Sequence, residues 1–141
     1  VHGEKDGSLC IVGGDDNGHR TTDCTLDGGL TWKVETSTVA TGGNFPVGAF
    51  DEAGNLYLGS DAGQAITVAR RDAHGAWLPP VNVSGPGTHK MPWMAAGRDG
   101  AAVIAWYGAN ASMPDQWMLH VAISRDQQII YQRLPFRFGP A

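Results

Sequence analysis

The feature that most constrains this chain is an internal repeat. Residues 45–58 match residues 91–104 at a constant offset of 46 (91 − 45), and both segments follow the pattern apolar-Pro-x-x-Ala, then Gly-x-apolar-x-apolar. Further on, residues 68–69 match residues 121–122, where the offset grows to 53 (121 − 68) because residues 108–117 form a longer connection. Insertions of that kind belong in loops, and a period of about 40–50 residues is typical of an array of one structural unit.

Each unit contains short β-rich runs between turn signals, and helical periodicity is absent. Strands are predicted at 8–13, 20–25 and 31–35 in the first unit, at 47–50, 55–60, 65–71 and 77–83 in the second, and at 93–96, 101–107, 118–124 and 129–134 in the third. Four strands per repeat predict an all-β fold, a partial β-propeller of four-stranded antiparallel blades. A β-sandwich is the alternative, although it would not give so regular a repeat.

The predicted blades divide one domain into three segments. Residues 1–40 form an incomplete first blade, residues 41–87 the second, and residues 88–141 a third that could also be incomplete. Because the chain begins at Val1, without an initiator Met or an apolar signal segment, we expect an export signal to have been removed or left out of this sequence. We therefore interpret the chain as about three blades of a longer protein.

The composition supports this architecture and excludes two classes of partner. With 20 Gly and 8 Pro in 141 residues, 42% hydrophobic and 17% charged, the chain fits a globular protein with many tight turns. A formal net charge of −4 argues against nucleic acid, because phosphate binding needs a basic surface. No apolar run approaches the ~18 residues that cross a bilayer, so membrane insertion is not expected.

No cofactor and no metal site are predicted. Residues 15–17 (Asp-Asp-Asn) fit a hairpin turn better than a calcium site.

Two cysteines, Cys10 and Cys24, lie symmetrically about Asn17. Residues 15–18 (Asp-Asp-Asn-Gly) are a strong hairpin-turn string, so the two thiols could face each other across neighbouring strands. They could form a disulfide, or they could remain two small buried thiols in a reduced protein. The sequence gives both alternatives equal weight.

Residues 25–32 carry the motif that suggests a family. Their sequence, Thr-Leu-Asp-Gly-Gly-Leu-Thr-Trp, resembles the Asp-box, or BNR repeat, of sialidases and related propellers, whose pattern is Ser/Thr-x-Asp-x-Gly-x-Thr-Trp. All the defining positions are filled: Thr25, Asp27, Gly29, Thr31 and Trp32. We expect Asp27 to hold the turn by accepting backbone N–H groups and Trp32 to begin the next strand with its ring over the neighbouring sheet.

Weaker versions of the motif follow in the later repeats. Residues 71–77 keep a Gly and a Trp but are aligned with Ala73 at the Asp position, and residues 124–126 keep only the opening of the motif. The matches are in register with the independent repeat, which makes the resemblance more specific than a single eight-residue match.

The resemblance implies that the box lies on the rim away from the ligand, so Asp27 is expected to be structural. The opposite end would be formed by residues 15–19, 41–45, 60–64, 88–91 and 107–117. The candidate ligand-face residues at that end are Asp61, His89, Trp93, Tyr107, Asp115 and Trp117. Packing between blades is the favoured interpretation for Trp93 and Trp106, and a structural hydrogen bond is favoured for Tyr107. His89, beside Lys90, could bind an anion, although a solvated loop is the commoner role.

The resemblance also implies what a sialidase site would need: a tyrosine nucleophile assisted by a glutamate, an aspartate acid/base, and three arginines that hold the substrate carboxylate. The usual Phe/Tyr-Arg-Ile-Pro string is absent, and residues 44–46 read Asn-Phe-Pro at the equivalent place. Spacing does not group Arg20, Arg70 and Arg71. The catalytic residues are therefore unknown, and enzymatic activity stays uncertain.

Two functions follow as expectations. In the first, the chain is part of an exported sialidase-like propeller, secreted or periplasmic in a bacterium, that hydrolyses or binds glycans. In the second, the propeller is a non-catalytic binding or scaffold module. Carbohydrate is the candidate ligand. Exposed blade faces should pair with the missing blades of the same chain or make the isolated chain self-associate.

Overall fold

The computed structural model describes the backbone of residues 2–3, 9–14, 19–41, 44–62, 64–98, 100–125 and 128–136, and the side chains of residues 9–14, 19–36, 45–62, 64–98 and 100–124. The described residues form strands and turns and no helix. The strands are β1 (His2–Gly3), β2 (Leu9–Gly14), β3 (His19–Thr25), β4 (Lys33–Thr41), β5 (Asn44–Phe50), β6 (Leu56–Ala62), β7 (Ala65–Arg71), β8 (Val81–Asn82), β9 (Gly87–Ala96), β10 (Ala102–Asn110), β11 (Trp117–Arg125) and β12 (Gln128–Phe136).

These strands form three four-stranded antiparallel sheets. The first sheet has the order β1-β2-β3-β4, the second β5-β6-β7-β8 and the third β9-β10-β11-β12. Each strand pairs with its neighbour in sequence, so each sheet is a simple up-and-down meander. The predicted all-β fold with four-stranded antiparallel units is confirmed.

The structure differs from the prediction in the fourth strand of the second sheet and in the first strands of all three sheets. The fourth strand of the second sheet, predicted at 77–83, is reduced to β8 and a bridge between Arg71 and Trp77. Pro79 and Pro80 explain this, because neither has an N–H to donate to the ladder. The first strands of the second and third sheets, β5 and β9, begin earlier than predicted, at Asn44 and at Gly87. The first strand of the first sheet, β1, was not predicted.

Strands β5 and β9 begin early because each continues through a β-bulge. In the second sheet Phe45-Pro46 stands opposite Ser60 alone, and in the third sheet Met91-Pro92 stands opposite Trp106 alone. Phe45 and Met91 have φ of 50° and 55°, in a region that bulky residues rarely adopt. The repeat therefore extends to backbone conformation at positions 46 residues apart.

Neighbouring sheets pack face to face. Ile66, Val68 and Val83 of the second sheet meet Ile104, Trp106 and Ala122 of the third in one buried cluster, against which Val47 and Met94 also pack. A Cβ at Gly59 would lie 2.7 Å from the Ile104 Cδ1, so glycine is required for this close approach. Gly48 has the same role beneath Val12 between the first and second sheets.

Asp51, at the turn between β5 and β6, joins the second sheet to the third. Its Oδ1 accepts the N–H groups of Ala53 at 3.0 Å and Asn55 at 2.9 Å. Its Oδ2 accepts the Asn55 side-chain amide at 2.8 Å, the Tyr57 hydroxyl at 3.3 Å and the N–H of Gly100 in the third sheet at 3.0 Å. Burial alone would raise the pKa of Asp51, but the hydrogen bonds from Asn55, Gly100 and Ala53 outweigh burial and lower the pKa.

Cys10 and Cys24 stand directly opposite each other on β2 and β3, and the structure joins them as a disulfide with a Cα–Cα distance of 4.2 Å. The turn predicted at residues 15–18 lies outside the described residues, as does the candidate calcium string within it. Of the two alternatives that the sequence left open, the structure adopts the bridged one.

Candidate functional site

The turn at residues 25–32 connects β3 to β4 and is held by the side chains of Thr25 and Asp27. The Thr25 hydroxyl donates to Asp27 Oδ1 at 2.7 Å and accepts the N–H of Gly29 at 2.9 Å. Asp27 also accepts the Thr31 N–H at 2.9 Å and the Thr31 hydroxyl at 2.6 Å. The Trp32 indole N–H donates to the Gly29 carbonyl at 3.1 Å. The motif residues therefore bind one another.

These contacts define the chemistry of Asp27. Hydrogen bonds from the Thr31 hydroxyl, the Thr31 N–H and the Thr25 hydroxyl lower the pKa of Asp27 well below its usual range. A carboxyl group with a lowered pKa stays ionised and is a poor proton donor, which agrees with a structural role for Asp27. The expected burial of Trp32 against a neighbouring sheet is wrong, because its side chain is 42% exposed and bonded to its own turn.

The second sheet has a related turn between β7 and β8. Asp72 Oδ1 accepts the N–H groups of His74 at 2.9 Å and Ala76 at 2.8 Å, and these bonds lower the pKa of Asp72. Asp72 precedes Trp77 by five residues, which is the spacing between Asp27 and Trp32. The alignment that put Ala73 at the Asp position was therefore wrong by one residue.

The two turns lie at the same end of adjacent sheets, and Glu35 of β4 links those sheets. Glu35 pairs with Arg71 and accepts the Trp77 indole N–H at 3.3 Å. The third candidate turn, at residues 124–126, lies mostly outside the described residues. Its first residue, Ser124, donates to the Gly100 carbonyl at 3.1 Å.

At the opposite end of the sheets, two of the six candidate residues are buried. Asp61, at the end of β6, is 4% exposed, and Arg20 of β3 interacts with it electrostatically across two sheets. Burial lowers the pKa of Arg20, and the negative charge of Asp61 opposes that shift. This pair connects the first two sheets, and neither charge is open to a ligand.

His89 is fully buried within β9, so its interpretation as a solvated-loop residue is wrong. Its Nδ1 accepts the Trp106 indole N–H at 3.1 Å, which requires the proton of a neutral His89 to be on Nε2. His120 stacks on Trp106 with ring centroids 5.5 Å apart and donates from Nε2 to the Gly108 carbonyl at 3.1 Å. A Cβ at Gly108 would collide with the His89 ring, so glycine makes the space that the ring occupies.

The other four candidates are exposed on the third sheet. Trp93, Tyr107 and Trp117 share one face by strand register, since they pair with Ala105, Leu119 and Ala109 respectively. They are 78%, 40% and 46% exposed. Asp115 is exposed in the connection between β10 and β11. The packing interpretation holds for Trp106, which is buried between sheets. Trp93 is exposed on the outer face of the third sheet, the face equivalent to the one that Val47 of the second sheet packs against its neighbour, so packing between blades stays a prediction for Trp93.

The three arginines considered for a substrate carboxylate have separate partners. Arg20 interacts with Asp61, Arg71 with Glu35, and the Arg70 guanidinium lies 5.7 Å from the centroid of the Tyr57 ring. Among the described residues, no group of three or more His, Cys, Asp or Glu could hold a metal ion. Within the same part of the chain, no helix has the length and apolarity needed to span a membrane.

A cavity of about 330 Å³ lies between the first and second sheets and opens beside β9. It is lined mainly by apolar residues, among them Cys10, Val12, Pro46, Phe50, Trp93 and Met94. Of these residues, only Trp93 was a ligand-face candidate from the sequence. Neither was Asp51, although Asp at the start of a turn with Gly three residues later is a signal that could have identified it.

The chain matches no family model and no curated protein, but it is similar to solved sialidase structures. It matches a NanB sialidase from Streptococcus pneumoniae with a TM-score of 0.61 and 14% identity, over 96% of this chain and 23% of that chain. A mutant of the same sialidase gives a TM-score of 0.57, 16% identity and coverages of 96% and 23%, and NanB with Optactamide gives 0.60, 15%, 94% and 22%. The likeness shows a sialidase-like β-propeller fold over a chain that spans less than a quarter of those proteins.

Proposed function

We propose that this chain forms three successive blades of an exported Asp-box propeller whose full-length form recognises or hydrolyses glycans. The observation that carries the proposal is the hydrogen-bonded turn around Asp27, which recurs around Asp72 at the same end of the next sheet. A carboxylate turn repeated in register, on a sialidase-like fold, is the pattern that the Asp-box resemblance predicts. Fold alone does not supply an activity, so the role of these blades rests on their exposed side chains.

The end of the third sheet opposite the Asp27 turn offers groups suited to a sugar. Trp117 is partly exposed at the start of β11, and Tyr107 is partly exposed on the same face of β10, three residues before that strand ends. Asp115 lies in the connection between the two strands. Aromatic faces pack against the apolar faces of sugar rings, and a carboxylate accepts hydrogen bonds from sugar hydroxyls. These three residues are the ones that we propose for glycan contact.

The test uses the full-length protein on a glycan array and with a fluorogenic sialoside. We expect Trp117→Ala to weaken glycan binding by about 2–10-fold, from the loss of one stacking contact. Trp32→Ala is the matched control, because Trp32 is equally exposed at the other end of the blades. Equal losses for the two variants, or no glycan binding at all, would contradict the proposal.

A non-catalytic scaffold is the second candidate, and the burial of Asp61 and His89 favours it. Among the described candidates, only Asp115 is an exposed acid, and the arginines are engaged elsewhere. Glycan binding without turnover of any sialoside would support the scaffold, whereas turnover would support the hydrolase.

Export is proposed on the bridged cysteines. A disulfide persists in oxidising compartments, so Cys10 and Cys24 should be oxidised in protein recovered from the periplasm or the medium. Mass analysis after alkylation, with and without reduction, tests this directly. Free thiols in freshly isolated protein would contradict it.

A further inference from the structure

Two histidines and a tryptophan form a buried polar cluster on the third sheet. His89, Trp106 and His120 are at most 1% exposed. His120 stacks on Trp106, and the His89 ring meets the His120 ring edge-on with centroids 5.4 Å apart. At the positions 46 residues before His89 and Trp106, the second repeat has Gly43 and Ser60. The cluster is therefore particular to the third sheet.

The two histidines respond differently to a proton. A neutral histidine has one N–H and one acceptor nitrogen, whereas a protonated histidine has two N–H groups. His89 Nδ1 must be an acceptor, because the Trp106 indole N–H donates to it at 3.1 Å. His120 needs only a donor at Nε2, for the Gly108 carbonyl at 3.1 Å, and keeps that donor in both states. Protonation therefore breaks the bond of His89 and spares the bond of His120.

The surroundings of His89 disfavour its charged form. The described titratable side chains on the face between the second and third sheets are His120 on β11, Asp61 and Tyr57 on β6, and Arg70 on β7. The tyrosine and the arginine lie toward the other end of those strands, beside the Asp51 turn. The charge of Asp61 favours a proton on His89, and the charge of Arg20, which interacts with Asp61, opposes it. Lys90 projects from the opposite face of β9. Since His89 is fully buried, loss of hydration then disfavours the charged ring.

The strand that carries His89 is divided by the bulge. Residues 87–90 pair with residues 107–110 of β10, and residues 93–96 pair with residues 102–105, with Met91-Pro92 between the two halves. Gly87 and Met91, at the two boundaries of the first half, have φ of 145° and 55°. Because neither boundary has regular strand geometry, residues 87–90 can separate from β10 while residues 93–96 stay paired.

We propose that protonation of His89 releases residues 87–90 from β10, so that this end of the third sheet opens below about pH 6 while the second sheet stays closed. In the open form the His89 ring reaches water, where it can hold the proton. The inference is independent of the proposed glycan function, since the bond between His89 and Trp106 and the divided strand carry it and its test contains no sugar.

Amide hydrogen exchange on the full-length protein, read by mass spectrometry and corrected for intrinsic rates, measures this opening. Between about pH 7.5 and about pH 5, protection at residues 87–90 and 107–110 should fall about 30-fold, the linkage for one histidine that is protonated only in the open form. Protection at residues 56–62 and 65–71 of the second sheet should change less than about threefold. Asp51 does not contribute in this range, because its pKa is lowered from an ordinary value near 4.

Three variants assign the response to one ring. His89→Asn keeps an acceptor for the Trp106 N–H and cannot be protonated, so the change should shrink to less than about threefold. His120→Gln keeps a donor for the Gly108 carbonyl and should retain the response. His74→Gln is the matched control and should also retain it, because His74 is exposed in the Asp72 turn.

The unmodified protein decides the matter even where a variant does not fold. Unchanged protection of residues 87–90 at the acid end of the range would overturn the proposal, and so would an equal loss of protection in the second sheet. Among the variants, a response that survives in His89→Asn, or that disappears in His120→Gln or His74→Gln, would contradict the assignment to His89 and overturn it as well.

Discussion

Replacing the buried Asp51 with alanine should weaken the fold more than replacing Asp72, the acid of the exposed turn in the same sheet. The carboxylate is 3% exposed and accepts five hydrogen bonds, from three backbone N–H groups, the Asn55 amide and the Tyr57 hydroxyl. Removing it leaves the N–H of Gly100 and the groups of Asn55 without an acceptor in a buried site. Each buried polar group left unpaired costs about 1–3 kcal/mol, so the expected loss is about 3–5 kcal/mol.

Urea denaturation followed by fluorescence measures this loss. With a slope of about 2 kcal/mol per M, the midpoint should fall by roughly 2 M. Asp51→Asn should lose less, because its amide keeps the oxygen for Ala53 and Asn55 but turns an NH₂ toward the Gly100 N–H. Asp72→Ala is the matched control and should lose least, since Asp72 holds only its own exposed turn. A midpoint for Asp51→Ala within about 0.3 M of the original would refute the reasoning.

The Asp51 network also predicts a direction for pH dependence. Its pKa is lowered in the folded state, below the value of about 3.9 expected when unfolded. Its contribution to the free energy of unfolding is therefore complete above about pH 4–5 and is lost as the pH falls through the folded-state pKa. Asp51→Asn should flatten this acid limb, and an unchanged acid limb would mean that other carboxylates dominate it.

Three further predictions concern packing, the disulfide and the open face. Gly108→Ala should lower the midpoint of thermal unfolding by about 5 °C or more, because the new methyl group meets the His89 ring, while Gly97→Ala, with open space around it, should change little. Reducing the disulfide should cost about 2–3 kcal/mol in urea denaturation, given the 14-residue separation of its cysteines, and an unchanged midpoint would contradict this. We expect the isolated chain to self-associate through the face that exposes Trp93 and Val103, and a monodisperse monomer in light scattering would contradict this.

The sequence predicted the repeated strands because their signals are local. Gly54 and Gly100 adopt φ of 84° and 75°, as expected for the two hairpin turns that the repeat aligned. Ala69 and Ala122, matched across the longer connection, are both buried. Alternating apolar positions in the strands, turn residues between them and the fixed period of the repeat were sufficient to predict this part of the fold.

The candidate site was less predictable because burial of polar residues depends on other sheets. His89 and Asp61 were placed at the ligand end from strand position alone, yet both are buried through contacts with residues distant in sequence. His89 is enclosed because Gly108, its partner on β10, leaves room for a ring. A glycine opposite a histidine is a signal that appears only once strand register is known. The bulges were missed for the same reason, since Pro46 and Pro92 indicated strand starts rather than interruptions.

The exposed apolar residues on the outer face of the third sheet have buried equivalents on the second sheet. Ala95 and Val103 are exposed, whereas their repeat equivalents Ala49 and Tyr57, 46 residues earlier, are 2% and 3% exposed beneath the third sheet. The exposed face of the third sheet thus corresponds to a face that is an interface one repeat earlier. Exposure alone is therefore weak support for a ligand role at its centre. Trp117 is the stronger candidate for glycan contact, because it begins β11 beside the long connection at the sheet's end, where a following sheet would cover it least.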